Sequence, residues 1–349
     1  MLKKSAVLAA SLLLLFSGCS NKEEVKDDVK KAADKTVKEV VAETSFSEYY
    51  PLTGIGSEEA TDGRAVAVMV NNHPAARPQS GLNKADIVYE VLAEGGVTRL
   101  LAIFQSEKPE NIGPVRSARE YYIELAKGYD SLFIAHGYSP DAKSMLDKGY
   151  IDHLNGMAYD GTLFQRADFR KAPHNSYITF GNIMKGAEEN LFPMNESPGS
   201  LQFYTEKELD TISGEDAQSA MISYSSEDFN SSYEYDDQLG KYKRYSSGEQ
   251  TVDYVTEEPV LIDNIFIVET EHAIVDDAGR REIDLTSGGR ALLLQKGKRK
   301  EVEWKNVDGK ILPFIAGSAA PLVPGKTWIN IVPTDPGIEQ SVSFETESI

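Results

Sequence analysis

Cysteine, histidine and basic charge are all scarce in this chain of 349 residues. It has one cysteine, Cys19, five histidines, and 36 Lys and Arg against 55 Asp and Glu, a formal charge of −19. A single cysteine excludes an intrachain disulfide framework. The acidic excess repels polyanions, so no nucleic-acid partner is expected. No apolar run reaches the roughly 20 residues that a membrane-spanning helix needs. His73, His136, His153, His174 and His272 lack metal-ligand spacing, and no His-Glu-x-x-His occurs, so no metal is assigned. No dinucleotide glycine fingerprint is present, and no cofactor is assigned. Pro324 to Trp328, "PGKTW", resembles the end of a phosphate-binding loop, but Ala320 stands where that loop needs glycine and no helix pattern follows. "HGYSP" at His136 falls short of a nucleophile elbow, because Asp141 stands where its second glycine belongs. These absences leave no catalytic residue assigned.

The amino terminus is more informative. Lys3 and Lys4 precede a short apolar run from Ala6 to Phe16, followed by "FSGC" ending at Cys19. Basic start, short apolar stretch and small-residue exit describe a secretory signal over residues 1–18. The exit resembles the bacterial lipobox, with Phe16 where leucine is usual. That resemblance implies lipid modification of Cys19 (palmitate among the acyl groups) and anchoring to the outer face of the cytoplasmic membrane. Residues 19–45 carry nearly balanced charge with Val25, Val29, Ala33, Val37 and Val40 recurring at helical spacing, and read as a solvated spacer.

From residue 46 the chain has two textures, an α+β reading with an N-terminal α/β layered domain over 46–198 and a mainly-β C-terminal domain over 199–349. "AVAVMVN", "DIVYEVLA", "VTRLLAIFQ" and "SLFIAHG" read as strands, being rich in β-branched and aromatic residues. "SAREYYIELAKG" reads as a helix with a Ser117–Glu120 capping box and a terminal Gly128. "YSPDAKSMLDKG" reads as a second, capped by Ser139 with Pro140 at its first position. "FPMNESPGS" marks the boundary, and beyond it "SYEYDDQLGKYKRY", "NIFIVETE" and "RALLLQKGKRKEVEW" read as strands and hairpins turning at Gly240 and Gly297.

Within this acidic chain, "IGPVRSARE" sets Arg116 and Arg119 three residues apart at the predicted helix start. Cations there oppose the helix dipole, so a negative group is wanted nearby. Asp86, Glu90 and Glu94, on or just after one strand, are internal candidates, and could alternatively serve as metal ligand or base. The other candidate is a ligand. Arg99, His136 and the run "FQRADFRKAPHNSY", with Arg166, Arg170, His174 and Asn175, would join Arg116 and Arg119 where strand ends and helix starts share one edge. A guanidinium cluster matches carboxylate or phosphate, so an anionic envelope ligand or a protein partner is the expected occupant. "NNHPAARPQSG" is read as a loop over that edge.

"NNHPAARPQSGL", "ADIVYEVLAEGGVTR", "IGPVRSAR" and "KAPHNSYI", with "LTSGGRALLLQKGKRKEVEW" and "PGKTWINIVP", resemble the YerB-like lipoproteins of Gram-positive bacteria over nearly the whole chain from Phe46. The resemblance implies a lipid-anchored, two-domain envelope protein and supplies no mechanism. The order of Asp86, Arg99 and "PVRSAR" is similar, in pattern only, to the LytR-CpsA-Psr phosphotransferases, whose arginines hold a lipid pyrophosphate. On that alternative the chain would be a phosphotransferase or hydrolase acting on phosphorylated cell-wall intermediates.

Overall fold

The computed structural model describes residues 46–344. Cys19, the signal and the spacer lie outside them. The longer elements are β1 (Val66–Asn71), β2 (Ile87–Glu94), β3 (Val97–Phe104), α1 (Glu120–Lys127), β4 (Leu132–Ala135), α2 (Pro140–Asp147), β5 (His153–Asn155), β6 (Phe164–Arg166), β7 (Ser176–Thr179) and α3 (Phe180–Glu189). The second half adds β8 (Ser219–Ile222), β9 (Ser231–Asp236), β10 (Lys241–Ser246), β11 (Asn264–Thr270), β12 (Gly289–Gln295), β13 (Lys298–Val307), β14 (Lys310–Ile315) and β15 (Thr327–Pro333). The α+β reading holds, with a β-rich second half.

Both halves build one sheet. A 12-stranded sheet runs from Ser318–Ala319 through β14, β13, β12, β11, β15, β2, β3, β1, β4 and β5, with Glu215–Asp216 paired to β13 off this path. The two halves meet at β15 and β2, which pair in parallel with Trp328 beside Val88 and Asn330 beside Glu90. "PGKTW" therefore feeds this strand, and no helix follows it. A six-stranded sheet containing β8, β9 and β10 covers one face of the large sheet.

Period-two alternation sorts the strand residues between two cores. Val66, Val68 and Val70 of β1 face α3 and the tyrosines Tyr233 and Tyr242 of the small sheet. Ala67 and Met69 face the other way, onto α1 with Tyr122 and Ile123 and onto α2 with Ala142 and Leu146. The long apolar runs legible in the sequence are strands buried on both faces. Each fully buried Val or Leu contributes about 1.5–3 kcal/mol.

Two local expectations are corrected. The helix starts at Glu120, with Arg119 in the extended cap position and no side-chain cap. Ser117 does not cap it, because residues 116–118 are held extended by pairing: Arg116 N donates to Met69 O, His136 N to Arg116 O, and Ala118 N to Gly137 O. The Ser117 hydroxyl donates to His136 O instead, and Glu120 accepts from Ser139. Gly128 is right-handed rather than a left-handed stop. What requires glycine there is close backbone approach, since a Cβ would lie 2.4 Å from the carbonyl of Gly309. Ser139 and Pro140 open α2 as the sequence predicts.

Candidate functional site

β1, β4 and β5 run parallel, so their carboxyl ends emerge at one edge of the sheet, bringing Asn71, His136 and Asn155 together. β3 runs antiparallel and places its third residue, Arg99, opposite Asn71 at the same edge. The extended segment carrying Arg116 passes between the ends of β1 and β4. The β6–β7 hairpin then brings Arg166, Arg170, His174 and Asn175 alongside.

The charges at this edge are satisfied unequally. Glu94 holds two arginines. Arg99 bonds both of its carboxylate oxygens, at 3.0 and 2.7 Å, and reaches Ser117 O with its other arm. Arg119 forms an ion pair with the same carboxylate and donates to Ala118 O. Arg166 is bidentate on Asp160, also bonds Asn175, and donates to His136 Nε2 at 2.8 Å. Arg170 is bound by the carbonyls of Ala75 and Pro78, in the loop that follows β1.

Arg116 differs from all of these. Its half-buried guanidinium has no carboxylate partner among the described residues, and the charge that acts on it is another cation, Arg99. Burial first, and Arg99 second, push its pKa down to about 10. A half-buried guanidinium without an anion gives up part of its hydration with no opposite charge in exchange.

Neutral histidines surround it. Arginine cannot accept a hydrogen bond, so His136 Nε2 must accept from Arg166, which leaves the proton on Nδ1 to donate to Ser176 Oγ at 2.7 Å. Gly156 makes room for that ring, since a Cβ there would lie 2.1 Å from Nδ1. His174 accepts at Nδ1 from Asn71 and stacks on His73 at 4.4 Å, and His73 accepts at Nδ1 from Ala75 N. Desolvation lowers both titrations. For His136 the cations Arg166 and Arg116 reinforce it, against Asp160; for His174 the reinforcement comes from His73, Arg116 and Arg170.

Asp86 and Glu90 are not part of this edge. Asp86 opens the far end of β2, where Gln105 N, Ser106 N and the Ser106 hydroxyl donate to it, and burial raises its pKa to about 6. Glu90 does meet an arginine, but it is Arg244 of β10, 154 residues away, in a closed node with Ser231, Trp328, Asn72 and Thr98. Asp86, Glu90 and Glu94 stand four residues apart, about 13 Å along a strand at roughly 3.3 Å per residue, and a register irregularity falls between Leu92 and Glu94, so the three carboxylates end at different places. Glu94, at the strand's end, is the one that the arginines reach. The sequence reading passed over Asn71, His73, Asp160 and Ser176. Asn71 and His73 were present in the flagged loop, while Asp160 and Ser176 carry no local signal of their contacts.

The surface near α1 has the opposite sign. A cleft of about 530 Å³ there is lined by Glu120, Glu124, Glu271, Glu282 and Asp284. The arginine edge is thus a local exception in an acidic protein.

Residues 52–193 match the N-terminal domain and residues 220–329 the C-terminal domain of a family described as a protein of unknown function (DUF3048). A relative from Bacillus subtilis (strain 168), "Putative lipoprotein YerB", is 49% identical over 299 residues, covering 85% of this chain and 89% of its own. The crystal structure of the YerB protein from Bacillus subtilis superposes with a TM-score of 0.79 at 48% identity, covering 86% of this chain and all of that one.

Proposed function

This chain belongs to the DUF3048 family of two-domain proteins of unknown function, and from that premise we propose that it is a lipid-anchored binding protein whose arginine edge takes an anionic ligand. The anchor is Cys19, which would hold the folded part at the outer face of the cytoplasmic membrane; the lipoprotein name of the relative supports that reading.

One observation supports the binding site: Arg116 is half-buried, flanked by cations and neutral histidines, and has no anionic partner among the described residues. A phosphate or carboxylate there would supply the missing charge. Such a ligand could also draw on Arg166 and the imidazole Nε2 groups of His73 and His174, whose Nδ1 atoms are already engaged. Phosphotransfer is less well supported. Asp86 and Glu90, the carboxylates that reading needs as metal ligand or base, lie away from the edge, and Glu94 and Asp160 are each bonded to arginine.

Thermal unfolding of the full chain against phosphate, pyrophosphate, undecaprenyl-phosphate analogues and peptidoglycan fragments tests the proposal, with Arg116→Ala in parallel. A ligand at 100 times its Kd should add about 2.7 kcal/mol to the wild type. The expected result is a raised midpoint for wild type and none for Arg116→Ala. If no anion shifts the wild type, the site reading fails and a protein partner becomes the object of search.

A further inference from the structure

The hairpin loop that carries the cations also carries an aromatic surface. Phe169 and Tyr254, from opposite halves of the chain, stack at 4.6 Å with their planes 6° apart. Both are open to solvent, at 51% and 40% exposure. Tyr254 is held in place by its own backbone N–H, which donates to Gln79 O, and Phe169 leans on Tyr177.

Arg170 links this pair to the anion edge. Its Cζ lies 5.6 Å from the Phe169 centroid and 5.2 Å from that of Tyr254. Being nearly equidistant from two centroids only 4.6 Å apart, the guanidinium sits beside the stack and not over its outer faces. The same arginine acts electrostatically on His174, on which Arg116 also acts. Arg170 thus touches the ring pair on one side and acts on a histidine of the anion edge on the other.

A loop gains nothing for the core by exposing two coplanar rings, and an ordered, rigid aromatic pair loses little entropy when something stacks on it. Bare phosphate or carboxylate would use only the cationic half of this surface. Resting on the anion-site reading above, we infer that the ligand is a ring-bearing anion, with phosphate or carboxylate on Arg116 and the apolar face of a sugar or base on the Phe169–Tyr254 stack. Sugar phosphates and nucleoside phosphates share that chemistry, and the test separates them.

Calorimetric titration of the full chain would use inorganic phosphate, glucose 1-phosphate and adenosine 5′-monophosphate as probes. Stacking on an aromatic side chain strengthens binding by about tenfold or more. At least one ring-bearing probe should therefore bind the wild type about tenfold tighter than phosphate. Which of the two does so names the ring. Tyr254→Ala and Phe169→Ala, both exposed and measured alongside their melting temperatures, should each erode that advantage while leaving phosphate affinity unchanged. Arg116→Ala should weaken all three probes. Equal affinity for phosphate and both ring-bearing probes, with Arg116→Ala still weakening each, would overturn this inference and leave the anion site standing. Loss of the ring advantage in neither aromatic variant would overturn it too. No binding of any of the three probes overturns this inference, and the wider anion panel above then decides the site reading by itself.

Discussion

Two arginines in this protein face the problem of burial with opposite outcomes. Arg244 is 1% exposed and meets Glu90, which is 0% exposed, at 2.9 Å. Its Cζ also lies 4.5 Å from the Trp328 ring, and Thr251 and Ser231 take further bonds from it. Five side chains besides Arg244's complete the node from both halves of the chain: Asn72, Thr98, Ser231 and Trp328 donate to Glu90, and Thr251 accepts from Arg244. Arg116 has no such company and remains half-open to solvent. A buried pair held by this many partners is a structural joint, here between residues 154 apart in the chain, even though Arg244 Nε itself has no hydrogen-bond partner among the described residues. An unpaired guanidinium at a sheet edge is, on the proposed reading, where an anion would bind. Residue type is the same in both, and the difference lies in the count of partners.

The contrast can be broken at either end. Arg244→Ala should have the largest effect, since it strands Glu90 in the core without its cation; loss of about 3–5 kcal/mol is expected in urea unfolding. A loss below about 1 kcal/mol would show that the node does not join the halves. Glu94→Gln comes next. It leaves Arg99 and Arg119 without their shared carboxylate, both largely buried, and should cost about 1–3 kcal/mol. The same variant should tighten phosphate binding, because it frees Arg99, the cation that acts on Arg116, from its carboxylate.

His272 adds a third way to bury a polar group, by keeping it neutral. Neither of its ring nitrogens has a hydrogen-bond partner, and burial, then Arg281, pushes its pKa to about 3. Between that value and the ordinary 6.5 the unfolded chain binds the proton and the folded one does not. The stability this histidine allows is complete above about pH 6.5 and is lost as pH falls, at up to about 1.4 kcal/mol per pH unit. His272→Gln should flatten that slope between pH 6.5 and 5, and an unchanged slope would assign the acid sensitivity elsewhere. The smallest effect on stability is expected from Arg116→Ala, within about 0.5 kcal/mol of wild type, because no anion is lost with it. A loss like that of Arg244→Ala would make Arg116 a structural residue after all.

Much of the architecture was readable beforehand. "AVAVMVN", "DIVYEVLA", "VTRLLAIFQ" and "SLFIAHG" are β1 to β4, and Lys296-Gly297 turns the β12–β13 hairpin with both residues at positive φ. The edge was readable too, since Arg99, Arg116, His136, Arg166 and His174 do gather there. What misled was local chemistry with a tertiary competitor. Ser117 has the spacing of a helix cap, yet strand-like pairing with Met69 and His136 holds its segment extended. The two textures carried no sign that β15 crosses into the first half to lie beside β2.

The sequence by itself determined the strands, the two helices that cover one face, and the gathering of cations at one end of the sheet. Those follow from hydrophobic period and chain direction, which are local properties of a segment. Only the tertiary structure decided which carboxylate each arginine meets. Glu90 and Glu94 lie on one strand and differ by four residues, yet one is sealed with Arg244 and the other is shared by Arg99 and Arg119. Ion pairing acts over a few ångströms in space and takes no account of separation along the chain. That same three-dimensional allocation left Arg116 without a carboxylate among the described residues, which is the ground of the proposed anion site.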